Sequence, residues 1–169
     1  MNYVEILITD ASAIKELAKF AVKIIKEHFD PIIGAKQNDY MISKFQSASS
    51  IREQLKQGYR YYYVCDMEGN KVGFFAFLPR EKEMYLSKFY LQKAHRGKGI
   101  SKDMLQFIIK KAKELDLSSI VLNVNKNNSA ILAYEKLGFI KIGEEKKDIG
   151  NGFFMDDFVY KYSIDVNSD

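Results

Sequence analysis

A chain of 169 residues, with 47% hydrophobic and 28% charged residues, has the length and composition of one folded domain and is too apolar for a disordered chain. Its single cysteine excludes a disulfide scaffold and fits a reducing compartment, so we expect a cytoplasmic protein. The net charge of +4 is too small to indicate a nucleic-acid partner, and no apolar run approaches the ~18 residues of a membrane span.

The first third of the chain predicts a strand followed by two helices. Residues 3–8 are typical of a strand, and Asp10 offers a helix cap. Apolar residues then recur at the three- and four-residue spacing of one helical face, and we expect this helix to end near His28. Residues 30–47 show no regular pattern and are predicted to form a substrate-facing loop that contains Pro31. A capping box that begins at Ser50 predicts the second helix.

The rest of the chain predicts an antiparallel meander and then alternating helices and strands. In chain order the predicted elements are strands 59–66, 71–78 and 84–91, a helix that includes residues 105–115, strand 119–124, helix 129–137, and strands 139–145 and 153–162. A strand–helix–strand unit implies a parallel pair with a right-handed crossover. We therefore predict an α/β fold with a central mixed sheet flanked by helices, in one domain (residues 1–164) followed by a loose tail (residues 165–169).

The segment between the third meander strand and the next helix has the features of an anion cradle. Gly97 and Gly99 allow a tight turn with no side chain over the backbone. The free N–H groups and the dipole of a helix N-terminus favour an anion. Because Arg96 and Lys98 add positive charge, we expect this segment to bind a pyrophosphate.

Two common phosphate-binding motifs are excluded at this segment. A Walker A loop would need a glycine where Gln92 stands and a serine or threonine where Gly99 stands. A dinucleotide-binding fingerprint would need a small residue in place of Lys102. On the glycines alone, a structural turn with solvated basic residues stays open.

Two segments together resemble the signatures of the GCN5-related N-acetyltransferase (GNAT) family. Residues 96–101 resemble the acetyl-CoA signature Gln/Arg-x-x-Gly-x-Gly/Ala, with Ser101 where glycine or alanine is usual. Residues 127–139 resemble the second signature, an asparagine followed by alanine and Tyr-Glu-Lys-x-Gly-Phe. One predicted helix and one predicted strand separate the segments, as in the family. The resemblance covers nearly the whole chain and implies the acyl-CoA N-acyltransferase fold.

The resemblance also implies which residues bind acetyl-CoA. The strand edge at residues 89–91 is expected to contact the pantetheine arm through its backbone, and the amides of residues 97–101 to hold the pyrophosphate. An asparagine at the start of the next helix would contact the arm. Asn127 keeps the family spacing to Tyr134, but we choose Asn128, whose alternative role is only to cap that helix. The expected cofactor-binding residues are Phe89, Leu91, Arg96, Gly97, Lys98, Gly99, Ile100, Ser101 and Asn128.

Tyr134 is the expected catalytic residue, because the resemblance places its phenol near the sulfur, where it can protonate the departing thiolate. The alternative for Tyr134 is packing between helix and sheet. The residue that takes the proton from the amine is not identified by sequence. Glu83, Tyr85 and Ser87 lie on the strand approaching the cofactor and share one face if that strand is regular.

We therefore expect an N-acetyltransferase that carries an acetyl group from acetyl-CoA to a primary amine by direct attack in a ternary complex. An acetyl-CoA sensor without transfer activity, and a transferase of a longer acyl group, are the alternatives. The acceptor stays open among small-molecule amines, polyamines and protein N-termini. Candidate acids for its pocket are Asp39, Glu83, Asp156 and Asp157.

Other partners are not indicated by the sequence. Two isolated histidines make no metal site, and we expect neither a nucleic-acid nor a membrane partner. The charge run at residues 144–147 is interpreted as a solvated surface. A homodimer stays open.

Overall fold

The computed structural model describes residues 1–165 and shows a seven-stranded mixed sheet with helices, which confirms the predicted α/β class. Residues 166–169 of the predicted tail lie outside the described residues. The sheet order is β1-β2-β3-β4-β5-β7-β6. The strands are β1 (Asn2–Glu5), β2 (Arg60–Cys65), β3 (Lys71–Pro79), β4 (Glu83–Leu91), β5 (Ser119–Asn125), β6 (Ile140–Gly150) and β7 (Phe153–Ser163). The helices are α1 (Ala11–Ile33), α2 (Ala35–Phe45), α3 (Ala48–Lys56), α4 (Ile100–Glu114) and α5 (Ala130–Leu137).

The described residues group into two compact units. The first comprises Met1–Phe77 and Lys88–Ser101, and the second comprises Leu78–Ser87 and the chain from Lys102 on. No helix within residues 1–165 is long and apolar enough to cross a membrane.

The first unit is an antiparallel sheet covered by helices. Strand β2 pairs antiparallel with both β1 and β3, which confirms the predicted hairpin. Alternate residues of β2 and β3, including Tyr61 and Phe74, pack with Leu17 and Ala21 of α1 in a fully buried core. The single cysteine, Cys65, belongs to the same cluster.

The prediction of a loop at residues 30–47 is wrong, because α1 continues to Ile33 and α2 follows after one residue. Pro31, expected in a loop, lies inside α1. Gly34, with φ of 85°, forms the turn between the two helices. A left-handed backbone of this kind is readily adopted by glycine.

Polar contacts hold α2 against α1, together with Ile42, which packs against the core cluster. The buried Asn38 amide donates hydrogen bonds to Ile25 O (3.3 Å) and Asp30 Oδ1 (2.8 Å). Lys26 forms ion pairs with Asp30 and Asp39. Because a periodicity of apolar residues cannot reveal such contacts, the sequence pattern missed α2.

The helix caps were predicted with mixed success. Asp10 accepts a hydrogen bond from Ala13 N (3.0 Å), which confirms the cap of α1. The capping box at Ser50 is wrong, because α3 begins three residues earlier with Ser47 as its cap. Ser47 Oγ accepts a hydrogen bond from Ser50 N (3.2 Å), so the hydroxyl of Ser47 satisfies a free amide in the first turn of α3.

The second unit contains the parallel strand pair. Strands β4 and β5 pair in parallel from Glu83↔Ser119 to Tyr85↔Val121, as predicted. Strand β7 then pairs antiparallel with β5 on one side and with β6 on the other. The β6–β7 ladder has irregularities near Ile142 and Ile149, and these change which face of the sheet the β6 side chains occupy.

Candidate active site

The segment between β4 and α4 has the backbone geometry of an anion cradle. Gly97 and Gly99 have φ of 74° and 80°, and a Cβ added at either would meet open space. Glycine is therefore required by the backbone conformation and not by crowding. Among residues 1–165, no protein group accepts a hydrogen bond of good geometry from the five amides of residues 97–101. These amides stand at the N-terminus of α4, where the helix dipole also favours an anion.

The basic residues predicted for the cradle, Arg96 and Lys98, are exposed, and the Arg96 side chain forms a hydrogen bond at the end of β4. Arg96 Nε donates a hydrogen bond to Leu91 O (3.2 Å), which ties the guanidinium to the last residue of β4. Lys98 is exposed on the turn itself. Both side chains are therefore accessible to an anionic ligand.

The end of β4 approaches β3 very closely. Gln92 N donates to Val72 O (2.8 Å). A Cβ placed on Gly73 would lie 2.3 Å from Tyr90 O, so only glycine fits there. The ladder with β5 stops at Tyr85, whereas β4 runs on to Leu91. The predicted arm-binding residues, Phe89 and Leu91, lie in this further part of β4.

The turn after β5 positions the two asparagines differently. Asn128 is buried, and its Oδ1 accepts from Ala130 N (2.9 Å) in the first turn of α5. Its own N–H donates to Asn125 O (2.9 Å). Asn127 is exposed, and its N–H donates to Asn125 Oδ1 (2.9 Å). The Asn128 side chain thus satisfies the first amide of α5, next to the N-cap residue Ser129, and its contact with a cofactor arm stays a prediction.

Tyr134 lies on α5 in an aromatic group. Its ring packs edge-on against Phe139, with ring centres 5.8 Å apart, and Phe139 contacts Tyr162 at 5.5 Å. Burial raises the pKa of the Tyr134 phenol well above its usual range. The phenol therefore stays protonated and can donate a proton or a hydrogen bond, but it cannot act as a base near neutral pH.

The four candidate acids differ sharply in their surroundings. Asp39 and Asp156 are exposed or half-buried and form ion pairs with Lys26 and Lys126. Glu83 is half-buried at the start of β4. Asp157 is only 5% exposed. Burial raises the pKa of the Asp157 carboxyl to about 6, an effect that a hydrogen bond from Asn123 partly offsets and the nearby negative charges reinforce.

The register of the second unit places polar side chains around Asp157. Asp157 stands directly opposite Asn125 of β5 and Glu145 of β6, so the three side chains share one face. Asn123 lies on that face too, and its Nδ2 donates to Glu145 Oε2 (3.1 Å). In the sequence, Glu145 is part of a charge run that predicts a solvated surface. It is indeed exposed, but it borders a buried carboxylate, and only the strand register reveals this.

A family model described as an acetyltransferase (GNAT) domain matches residues 30–155. The match covers more than half of the chain and includes both the cradle and the turn after β5. The chain therefore belongs to the GNAT acetyltransferase family, as its two signature segments predicted.

Several known proteins are similar to this chain. Human N-acetyltransferase 8B is 32% identical over 90 residues, which are 49% of this chain and 40% of the human protein, so the chain spans less than half of that relative. A protein of Bacillus subtilis subsp. natto named as a probable spermine N(1)-acetyltransferase is 31% identical over 124 residues, which are 67% of this chain and 82% of the relative.

Solved structures share the fold at low sequence identity. A GCN5-related N-acetyltransferase from Rhodopseudomonas palustris has a TM-score of 0.76 at 16% identity, and the match covers 96% of this chain and 94% of that one. Spermidine N-acetyltransferase from Vibrio cholerae, solved with CoA and spermine, has a TM-score of 0.65 at 18% identity and covers 96% and 95%. These likenesses confirm the acyltransferase fold.

Proposed function

We propose that the protein transfers an acetyl group from acetyl-CoA to the primary amine of a small aliphatic polyamine. The observation that carries the donor is the row of five amides at residues 97–101 with no protein acceptor among the described residues. Such a row at a helix N-terminus suits a pyrophosphate. Arg96 and Lys98 supply positive charge next to it, and the backbone of β4 near Leu91 is available to the pantetheine arm.

The acceptor class is supported by the relatives. The Bacillus relative matched over 82% of its length is named for spermine, and the Vibrio structure with the same fold holds spermine. An aliphatic polyamine is a chain of ammonium groups, so its site needs carboxylates. The second unit supplies acids on β6 and β7, of which Asp157 is the most buried.

The proposed reaction is direct attack in a ternary complex. The ammonium form of the acceptor loses a proton, the nitrogen of the resulting amine attacks the thioester carbonyl carbon, the C–N bond forms and the C–S bond breaks. A backbone amide near Leu91 polarises the carbonyl, and Tyr134 gives its proton to the departing thiolate and recovers one from the nitrogen or from water. Holding both substrates together supplies much of the rate, because attack becomes effectively unimolecular.

The first experiment is thermal unfolding with acetyl-CoA and with CoA. A ligand at 100 times its Kd adds ~2.7 kcal/mol, which raises the Tm by several degrees at this size. Both ligands are expected to give this shift, and CoA release is then expected on addition of spermidine. Tyr134→Phe is expected to lower kcat and to keep the shift.

Each other outcome has a clear meaning. Absence of a shift with either ligand would contradict the donor assignment, and the glycine turn would then be structural. A shift without CoA release from any amine would favour the acetyl-CoA sensor. Faster release from a longer acyl-CoA than from acetyl-CoA would favour the longer acyl group.

A further inference from the structure

We propose that Asp157 is the group that receives the acceptor ammonium and takes its proton, with Glu145 holding a second positive charge at the rim. This inference rests on the proposed function. It starts from two neighbouring pairs of acids on β6 and β7 that have opposite surroundings, although sequence alone does not distinguish them.

The first pair, Glu144 and Asp156, is neutralised within the protein. Lys126 Nζ lies 3.1 Å from Glu144 Oε2 and 3.1 Å from Asp156 Oδ1. Lys141 adds a further ion pair to Glu144 at 3.5 Å. These acids have their cations already, so they offer little to a ligand.

The second pair, Asp157 and Glu145, has no cation. Among residues 1–165, neither carboxylate forms an ion pair. The lysine next along that face of β6, Lys147, stands opposite Met155 and is exposed. The groups that face Asp157 are the amides of Asn123 and Asn125 from β5 and the carboxylate of Glu145 from β6. Asp156 adjoins Asp157 in sequence.

A carboxylate that is 5% exposed and faces another acid without a cation is unfavourable in a folded protein. Binding of an ammonium would remove this penalty. The two carboxylates also differ in exposure, because Asp157 is buried and Glu145 is exposed at the surface. A polyamine, with several positive charges along a flexible chain, matches a buried acid followed by an acid at the rim.

Asp157 also lies beside the turn that leads into α5. It pairs with Asn125, the last residue of β5, and the turn that begins there contains Asn128 and leads into α5 with Tyr134. Tyr160 donates a hydrogen bond to Glu135 of α5 (3.3 Å), so α5 packs on the face of β7 opposite to Asp157. The scheme therefore requires the amine to approach the thioester carbonyl from the Asp157 face, while the sulfur is turned towards the Tyr134 face.

The protons balance in this scheme. One N–H bond of the ammonium breaks and its proton moves to a carboxylate oxygen of Asp157, which leaves the lone pair for attack. The C–N bond forms and the C–S bond breaks. A second proton leaves the nitrogen and, through Tyr134 or water, the thiolate becomes a thiol. Asp157 returns its proton to solvent, so the net products are an acetylamide, CoA and one proton.

The decisive experiment compares Asp157→Asn with its neighbour Asp156→Asn, using acetyl-CoA and spermidine. Asp157→Asn is expected to lose about 100-fold or more of kcat/KM, the range of a proton acceptor, and to keep the thermal shift with CoA. Asp156→Asn removes the same charge one residue away on the other face, and it is expected to stay within about threefold of the wild type.

Two further readouts separate proton transfer from a structural effect. In the wild type, kcat/KM is expected to fall below about pH 6, where Asp157 becomes protonated, and Asp157→Asn is expected to lose this dependence. Glu145→Gln is expected to raise the KM for spermidine about threefold, with little change for n-hexylamine, which has one charge.

The outcomes distinguish this inference from the proposed function. Equal activity of the two aspartate variants, with an active wild type, would overturn the role of Asp157 and leave the acetyltransferase intact. An unchanged acid limb in Asp157→Asn would do the same. A wild type that binds CoA but acetylates no amine would overturn both.

Discussion

Replacing Asp157 with asparagine is expected to stabilise the fold at neutral and alkaline pH. A carboxyl whose pKa is raised from 3.8 to about 6 by burial weakens the folded state by about 3 kcal/mol once it is ionised, because each pH unit of difference corresponds to about 1.4 kcal/mol. Asparagine removes this charge at nearly constant volume. It also disturbs the hydrogen bond with Asn123, which costs about 1 kcal/mol. The net gain is about 2 kcal/mol.

The gain depends on pH with a definite sign. The pKa of Asp157 is higher in the folded state than in the unfolded chain, so the folded protein binds the proton more tightly between about pH 6 and 4. The wild type therefore recovers stability as the pH falls through this window. The advantage of Asp157→Asn is expected to be full at pH 8, smaller at pH 5 and gone at pH 4.

The assay is thermal or urea unfolding of the two proteins at these three pH values. For a chain of this size, about 2 kcal/mol corresponds to a Tm increase of about 4–8 °C at pH 8. Asp156→Asn is the control, since it breaks a surface ion pair with Lys126 and is expected to lower stability by at most about 1 kcal/mol. A lower Tm for Asp157→Asn at pH 8, with the same deficit at pH 4, would refute the reasoning.

Three other predictions concern the cradle and Tyr134. Gly99→Ala and Gly69→Ala both place an alanine at a positive φ in open space, so each variant is expected to lose about 1–2 kcal/mol of stability. Only Gly99→Ala is expected to lose CoA binding, which calorimetry measures. Gly73→Ala forces a Cβ against Tyr90 O and is expected to destabilise the protein by about 1–3 kcal/mol or more in urea unfolding and to weaken CoA binding, which an unchanged urea midpoint would contradict. Since burial raises the Tyr134 pKa, kcat is expected to show no alkaline decline below pH 9, and Tyr134→Phe should lower kcat equally across that range.

The cradle could be predicted from the sequence because its causes are local. Gly97 and Gly99 have positive φ, and the helix that begins at Ile100 provides the free amides. Each of these properties follows from a few consecutive residues. The helix around Tyr134 could be predicted in the same way, since Gly138 follows its last turn and ends it in a left-handed conformation.

The helical hairpin at residues 11–45 could not be predicted in the same way. Its second helix is held by the buried amide of Asn38 and by the ion pairs of Lys26, and such contacts join residues about 10 positions apart. Sequence periodicity detects an apolar face, and α2 has only one buried residue, which is polar. Pro31 was wrongly predicted to lie in a loop, because proline usually interrupts a helix, whereas α1 tolerates Pro31 near its C-terminal end.

The acids of β6 and β7 show that the surroundings of a side chain depend on strand register, which composition does not indicate. Asp156 and Asp157 are neighbours of the same type, and the sequence offers both as candidates. Pairing with β5 and β6 puts one beside Lys126 and the other beside Asn123 and Glu145. The irregularity near Ile142 sets which face Glu145 occupies, and no local pattern in β6 indicates it.

Strand β7 thus serves two purposes with alternate residues. On one face, Asp156 and Tyr160 make contacts that hold β7 to the turn after β5 and to α5. On the other face, Asp157 keeps a charge that the fold itself does not neutralise. If the folded state were optimised for stability alone, the asparagine or an added lysine would be favoured at little structural expense. The proposed ligand would supply the missing positive charge, and the opposite effects expected for Asp157→Asn on stability and on activity test that proposal directly.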